Sequence, residues 1–313
     1  MRRVLHVGPC NTPGGMAKVI EILSENPPDG WIADTLNTHS VNGIINKLLA
    51  WNSAKKFISR KGKSYDVIHI HSAAKWSYRR KLSLARIAHK QGSKVIFHIH
   101  SGKFDTFASG RNGIKNELTK FEVVVLSDYW KGKLEPVIGR LNVINNPVDP
   151  KLVANSAHKK QEKQILLLGR SDPVKGHDFA FEITRKLRDY GWNLVTTGSD
   201  HTESGIRGVG WIEEHEKYAL LYESSILIIP SKYEGQPMVM MEALAARCIV
   251  IASDKIPDLP NCVIAAKFND VDDWVEKIKS AKYVDTDKCL EPHLVTEISQ
   301  QWGKLYDSLV TKY

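Results

Sequence analysis

The chain has 313 residues, 42% hydrophobic and 25% charged, with a formal net charge of +9. That length suits two domains of ordinary size, and the composition lies inside the globular norm and excludes a low-complexity chain. No run of about 18 apolar residues is present to span a bilayer, the apolar part of MRRVLHVGPC is too short for a signal peptide, and the expected location is cytoplasmic.

Charge is spread unevenly. Residues 1–150 carry +12 and residues 151–313 carry −3, so the first half is the part suited to meet something anionic. Cys10, Cys248, Cys262 and Cys289 lie far apart with no CxxC pair. They are expected as four reduced, mostly buried thiols rather than a zinc knuckle or a disulfide framework.

In chain order, short β-branched runs predict strands over 3–8, 66–71, 94–100, 122–127, 141–145, 164–169, 193–198, 225–230 and 248–253. These runs are continuously apolar, as parallel strands covered on both faces should be. Helix-period stretches such as 77–91, 176–190 and 213–224 alternate with them, which predicts an α/β fold with parallel sheets. NNPVDPKLVANSAHKKQEKQ (145–164), polar and proline-containing, reads as a linker. The reading is two Rossmann-like, doubly wound domains, 1–150 and 151–313. A final helix over 292–311 is expected to pack back towards the first domain.

In such sheets ligands sit beyond the carboxyl ends of the strands. The Gly14–Gly15 loop, His71 and His100 follow strands of the first half, and Arg170, Gly198 and Glu234 follow strands of the second. Two such edges facing each other would make one central cleft.

LLLGRSDPVKGHDF (166–179) reads as strand, loop and helix, with Gly169, Arg170 and Lys175 on the loop. A guanidinium makes bidentate oxygen contacts and an ammonium is a point charge, so the pair suits a diphosphate. In SKYEGQPMVMMEALAAR (231–247), Pro237 suits the first turn of a helix, where the N–H groups of Met238 and Val239 would point at an anion. Glu234 and Glu242 flank that anion site and suit hydroxyl groups of ribose or sugar. Taken singly, each of these residues also has an ordinary surface or helix explanation.

VIHIHSAAKW (67–76) and VIFHIHSGKF (95–104) repeat one pattern. Four imidazoles on neighbouring strands would attract zinc, and a catalytic site would want three ligands and a water. An HxH metal-dependent hydrolase is therefore a competing reading. No carboxylate follows at metal spacing, however, and that reading leaves Arg170, Lys175, Glu234 and Glu242 unexplained. No metal and no cofactor are expected. DVDD (270–273) reads as a helix cap.

The spacing of GR and K, with E-G-x-P-M-V-x-x-E-A, resembles the retaining glycosyltransferases of the GT-B fold, family 4. PGGM (13–16), YDVIHIHS (65–72), VIFHIHSG (95–102) and VINNPVD (143–149) resemble further family segments. The resemblance covers most of the chain and implies a nucleoside diphosphate sugar, a UDP-sugar first, as donor. It also implies catalytic roles for His100, Glu234, Arg170 and Lys175. Glu242 would hold the ribose hydroxyls, and Glu234 and His100 the donor sugar. Arg170 and Lys175 would meet the diphosphate. Gly14 and Gly15 would let backbone approach the phosphate, and Gly210 and Trp211 stand where the base pocket lies. Gly169, Gly235, Gln236, Pro237, Met238 and Val239 complete the implied donor site, while His98, deeper on its strand, is read as structural. The common form of the motif has Gly and Pro where Pro237 and Val239 stand, and Gly where Arg247 stands. The variant present here is frequent among enzymes of surface polysaccharide synthesis, such as lipopolysaccharide or capsule.

The acceptor implied is a hydroxyl of a glycan or lipid-linked molecule. GIINKLLAWNSAKKFISRKGK (43–63) sets apolar residues at helical spacing among lysines and arginines, and KWSYRRKLSLAR (75–86) is a second basic stretch. Basic amphipathic helices lie on anionic membranes, so peripheral contact with the inner face of the cytoplasmic membrane is expected; a core-facing helix with a basic outer face is the plainer alternative. No nucleic-acid partner is expected, because such binding leaves the second-half motif unexplained. A nucleotide-sugar epimerase of the same fold is the other enzyme class to carry.

Overall fold

The structure is a computed structural model, and it describes residues 1–10, 12–41, 43–153 and 160–311. The chain forms two compact units, Met1–Pro147 with Leu294–Tyr313, and Val148–His293.

The first unit is built on β1 (Arg2–Gly8), β2 (Trp31–Asn37), β3 (Val67–Ser72), β4 (Lys94–Ile99), β5 (Glu122–Val125) and β6 (Asn142–Val143). The strands are parallel and ordered β2-β1-β3-β4-β5-β6. Chain order reverses between β1 and β3, which makes that junction the switch point of the sheet. Successive side chains alternate between faces. Leu5, Val7, Ile68, Ile70, Phe97 and Ile99 fall on one face and join a core with Tyr78, Leu82 and Ala85 of the helix Trp76–Lys90. The alternate positions of the same strands hold Val4, Val67 and Ile96 together with His6, His69, His71 and His98, all buried. These strands are therefore covered on both faces, with imidazoles among the aliphatic groups of the second face.

That second face is covered by the helix Val295–Val310, whose Ile298, Trp302 and Tyr306 are buried. Trp302 lies with its ring centroid 4.3 Å from that of His69, and Pro28 Cβ would stand 3.1 Å from a Cβ at Gly303. The last helix thus belongs to the first unit, not to a second domain running unbroken from 151 to 313.

The second unit is built on β7 (Gln161–Leu167), β8 (Asn193–Thr196), β9 (Thr202–Glu203), β10 (Ile206–Gly208), β11 (Ser224–Ile229), β12 (Ile249–Ser253) and β13 (Val263–Ala266). Their order is β13-β12-β11-β7-β8-β10-β9, parallel except for the antiparallel pair of β9 and β10. Here the switch point lies between β7 and β11. Ile165, Leu167, Ile226, Ile228 and Ile251 form the centre of its core with Phe181, Ile183 and Leu187 from the helix His177–Leu187 and Trp274 and Ile278 from the helix Val271–Ser280.

Several expectations change. The segment read as a linker is partly built into the second unit: Val148 and Asp149 are buried, and Val148 N donates to His293 O at 2.7 Å. Residues 154–159 of it lie outside the described residues, and β7 begins at Gln161. The strand β2 escaped the sequence reading because its burial is mixed and it lacks an apolar run. Cys262 and Cys289 are bonded to each other rather than reduced, since the fold brings the segment before β13 against the short helix Asp287–Leu290; Cys10 and Cys248 are free and buried. Asp270 caps the helix Val271–Ser280 by accepting from Asp273 N at 3.1 Å.

Candidate active site

In the second unit the loops after β7 and β11 meet at the switch point. The loop after β7 is shaped by Asp172, whose Oδ1 accepts from Val174 N at 2.9 Å while its carbonyl accepts from Lys175 N at 2.8 Å. It is tied to the loop after β11 by Lys232 N donating to Val174 O at 2.9 Å. Gly176 takes φ +76 and a Cβ there would meet Pro230 O at 3.0 Å, so only glycine lets the two loops approach this closely. Gly198, after β8, has φ +71, and a Cβ there would stand 2.3 Å from Gly169 O and 2.8 Å from Arg170 Cα. Gly198 N donates to Gly210 O at 2.6 Å. Gly169, Arg170, Gly198 and Gly210 therefore gather at one carboxyl edge.

Across that edge Lys175 Nζ donates to Glu234 Oε1 at 2.6 Å, with side chains 26% and 17% exposed. Lys175 lies along Gly169, where a Cβ would meet its Cδ at 3.5 Å. The exposed guanidinium of Arg170 has no hydrogen-bond or ion-pair partner among the described residues. Gly235 and Gln236, partly buried, carry the chain to the helix Met238–Ala245. Pro237 is the residue before that helix and not its first residue: its ψ of 119° is extended, and no side chain caps the helix start. Met238 is buried and Val239 half-buried at the first turn. Arg247, where a glycine was the common residue, adopts φ +59, the left-handed conformation that ends a helix.

Glu242, 2% exposed on that helix, accepts from Lys217 Nζ at 2.8 Å. Lys217 comes from the helix Glu214–Glu223. The sequence pairs both glutamates with hydroxyl groups, whereas in the structure each carboxylate holds an ammonium. Lys217 had no signal in the sequence, because nothing about a lysine in a helix interior says which carboxylate it will reach. Trp211, 59% exposed, lies beside Gly210.

In the first unit, Gly14 has φ +136 and open space around it, and it precedes the helix Gly15–Glu25. Gly8 was not singled out by the sequence, yet a Cβ there would overlap Ile20 Cδ1 at 2.1 Å, so it sets how closely this helix crosses the end of β1. His100 stands just past β4, partly exposed, with its N–H donating to Ser72 O at 2.9 Å. Its ring is linked to His71, and His71 to His6, by nitrogen–nitrogen contacts of 3.0 and 3.1 Å. His98 is linked to His69 at 3.2 Å, and His69 to Tyr306 Oη at 2.9 Å. Burial holds all five imidazoles neutral: His6 and His100 are pushed down to about 3, and His69, His71 and His98 well below their ordinary value, with neighbouring imidazoles adding to the effect.

The family model for glycosyl transferases group 1 matches residues 148–283. The chain is 24% identical over 258 residues to GDP-mannose:cellobiosyl-diphosphopolyprenol alpha-mannosyltransferase of Komagataeibacter xylinus, covering 69% of this chain and 62% of the relative. It is 23% identical over 305 residues to an uncharacterized 41.2 kDa protein in the cps region of Klebsiella pneumoniae, covering 83% of each. Sucrose-phosphate synthase from Thermosynechococcus elongatus superposes over 100% of both chains with a TM-score of 0.73 at 16% identity. The fold is GT-B, with two Rossmann-like parallel-sheet units, and the protein is an enzyme of the glycosyltransferase class.

Proposed function

We propose that the protein moves a sugar from a nucleoside diphosphate sugar to a hydroxyl of a glycan or lipid-linked acceptor in surface polysaccharide synthesis, with retention of configuration. The observation that carries this reading is the juxtaposition at the β7/β11 switch point of Arg170, without a partner among the described residues, the Lys175–Glu234 pair and a helix start with no side-chain cap. A diphosphate arriving there meets a guanidinium, an ammonium and the positive end of a helix. As the anomeric carbon–oxygen bond breaks, negative charge grows on the departing diphosphate, and these fixed groups stabilise it. The acceptor oxygen bonds to the anomeric carbon on the same face, and its proton passes to the departing phosphate. Glu234 and Glu242 orient the sugar and ribose hydroxyls while sharing their lysines. No step is assigned to a metal.

UDP-sugar is the donor proposed; the name of the Komagataeibacter relative favours GDP-mannose as the competitor. A thermal-shift panel of UDP, GDP, ADP and their sugars decides between them. For the reaction itself, Lys175→Ala is expected to lower turnover by about 10²-fold with its thermal midpoint followed in parallel. An unchanged rate in the folded variant sinks the reading.

The lipid-linked acceptor is supported by the helix Gly43–Lys61 of the first unit. Ile44, Ile45 and Leu49 on it are 72%, 71% and 59% exposed, and Val41 and Trp76 are 64% and 53% exposed. Lys47, Lys55, Lys56, Arg60 and Lys61 lie on the same helix. An apolar patch among cations fits an anionic bilayer surface, and the proposed location is the inner face of the cytoplasmic membrane.

A further inference from the structure

The five clustered imidazoles of the first unit's sheet are more than a sugar contact requires. His6, His69, His71, His98 and His100 occupy β1, β3 and the end of β4, beside the β1/β3 switch point. Their side chains share one face because the strands pair in parallel with His6 beside His69 and His71 beside His98. Histidine is an expensive choice for a buried sheet face, where an aliphatic residue needs no hydrogen-bond partner.

We propose that His71, His98 and His100 bind one divalent transition-metal ion of zinc's class, with His6, His69 and Tyr306 as their outer partners. One ring nitrogen of each of the three lies within 4.8 Å of those of the other two. His98, 1% exposed, has its Nε2 without a hydrogen-bond partner among the described residues. Whichever way the protons run along the chain from Tyr306 through His69 to His98, that nitrogen is left over. A cation uses it.

The hydrogen bonds then take one consistent direction. With His98 Nε2 on the ion, His98 Nδ1 carries the proton and donates to His69 Nε2, and His69 Nδ1 donates to Tyr306 Oη. With His71 Nδ1 on the ion, His71 Nε2 donates to His6 Nδ1. Ligating histidines ordinarily hold their second nitrogen in such bonds, and every one of the five imidazoles acquires a role. His71 Nδ1 and His100 Nε2 lie 3.0 Å apart; two nitrogens on a tetrahedral zinc stand about 3.3 Å apart for Zn–N bonds of about 2.0–2.1 Å, so a shift of a few tenths of an ångström converts that contact into a shared ligand edge. His100 is the partly exposed member, which gives the ion its way in and leaves a position for water. The ion ties the ends of β3 and β4 together, and through His69 it holds the last helix.

The test uses metal-free full-length protein. It is titrated with Co²⁺, whose visible absorption reports tetrahedral nitrogen ligation, and with Zn²⁺ against a chromophoric chelator. One equivalent is expected to bind, with a raised thermal midpoint that chelator reverses. His98→Gln and His100→Gln are each expected to weaken binding at least ~100-fold, and His6→Gln by about 10–100-fold as for other outer partners. Should His98→Gln fail to fold, His100→Gln decides, since that side chain lies at the partly exposed end of its strand. Uptake below one equivalent, or affinity unchanged in His100→Gln because exposed histidines elsewhere bind the ion, overturns the proposal. The cobalt spectrum needs no sugar nucleotide, so this inference and the proposed transfer reaction fail separately.

Discussion

Glu242 is a carboxylate buried to 2% exposure, and its charge is met by Lys217 at 2.8 Å. Removing one member of a buried pair leaves the other uncompensated, which costs more than the pair contributes. Lys217→Met is expected to destabilise the protein by about 3 kcal/mol, measured by urea unfolding; the double variant Lys217→Met, Glu242→Gln should recover most of the loss. Equal stability of the single variant and the wild type removes the ion pair from the account. Lys81 is the opposite case. It is 2% exposed, donates to Thr38 Oγ1, and is pushed down to about 7 by burial, with Arg80 adding to the effect and Cys10 opposing it. Its folded-state pKa lies below the unfolded value, so between pH 7 and about 10.4 the unfolded chain binds the extra proton and stability rises with pH. Lys81→Met should be more stable than wild type at pH 7, with the gap narrowing by roughly 4 kcal/mol towards pH 10. A gap independent of pH rules out the buried charge. Among single residues, Lys175 and Glu234 were legible because loop position and charge pointed to one edge. Lys217, Gly8 and Tyr306 were not, because each acts through a partner far away in sequence.

Elements divide in the same way. The helix Gly43–Lys61 was read as a basic amphipathic helix suited to an anionic membrane, with a core-facing helix as the plain alternative. The core-facing alternative holds for its second half, and the apolar residues near its start are exposed. Ala54 and Ile58 are buried, and Trp51 Nε1 donates to Ser83 Oγ at 3.0 Å, whereas Ile44, Ile45 and Leu49 near its start are exposed. Changing Ile44, Ile45, Leu48 and Leu49 together to Ser is expected to leave the thermal midpoint within about 2 °C of wild type, because exposed positions contribute little to stability. The same variant should lose most binding to vesicles containing anionic lipid in a pelleting assay. Undiminished pelleting would place the contact elsewhere. The last helix also shows what periodicity leaves open: Trp302 and Tyr306, four residues apart, define one buried face, but the pattern cannot name the sheet they cover. β2 was lost for a related reason, since a strand at the edge of a sheet needs no continuous apolar run.

At the scale of the whole molecule, the strand–helix alternation was enough to establish an α/β chain with two parallel sheets, because hydrophobic periodicity is a local property. It was also enough to place Arg170, Lys175, Glu234 and His100 after strands, since a parallel sheet sends all such loops to one edge. The boundary was less legible. Val148 rather than residue 151 opens the second unit, and the chain returns to the first at Leu294, because buried contacts define a unit and proline-rich composition only suggests where one ends. The bond between Cys262 and Cys289 belongs to the same class of fact, as spacing along the chain says nothing about which thiols the fold brings together. By itself the sequence determined most of the strands of both sheets and which charged side chains stand at their ends. Only the tertiary structure decided that each glutamate is held by a lysine and that four buried imidazoles and the partly exposed His100 cluster on one sheet face. The physical reason is that ion pairs and ligand clusters depend on distances between atoms, and strand order and register, which set those distances, are decided by packing between segments far apart in the chain.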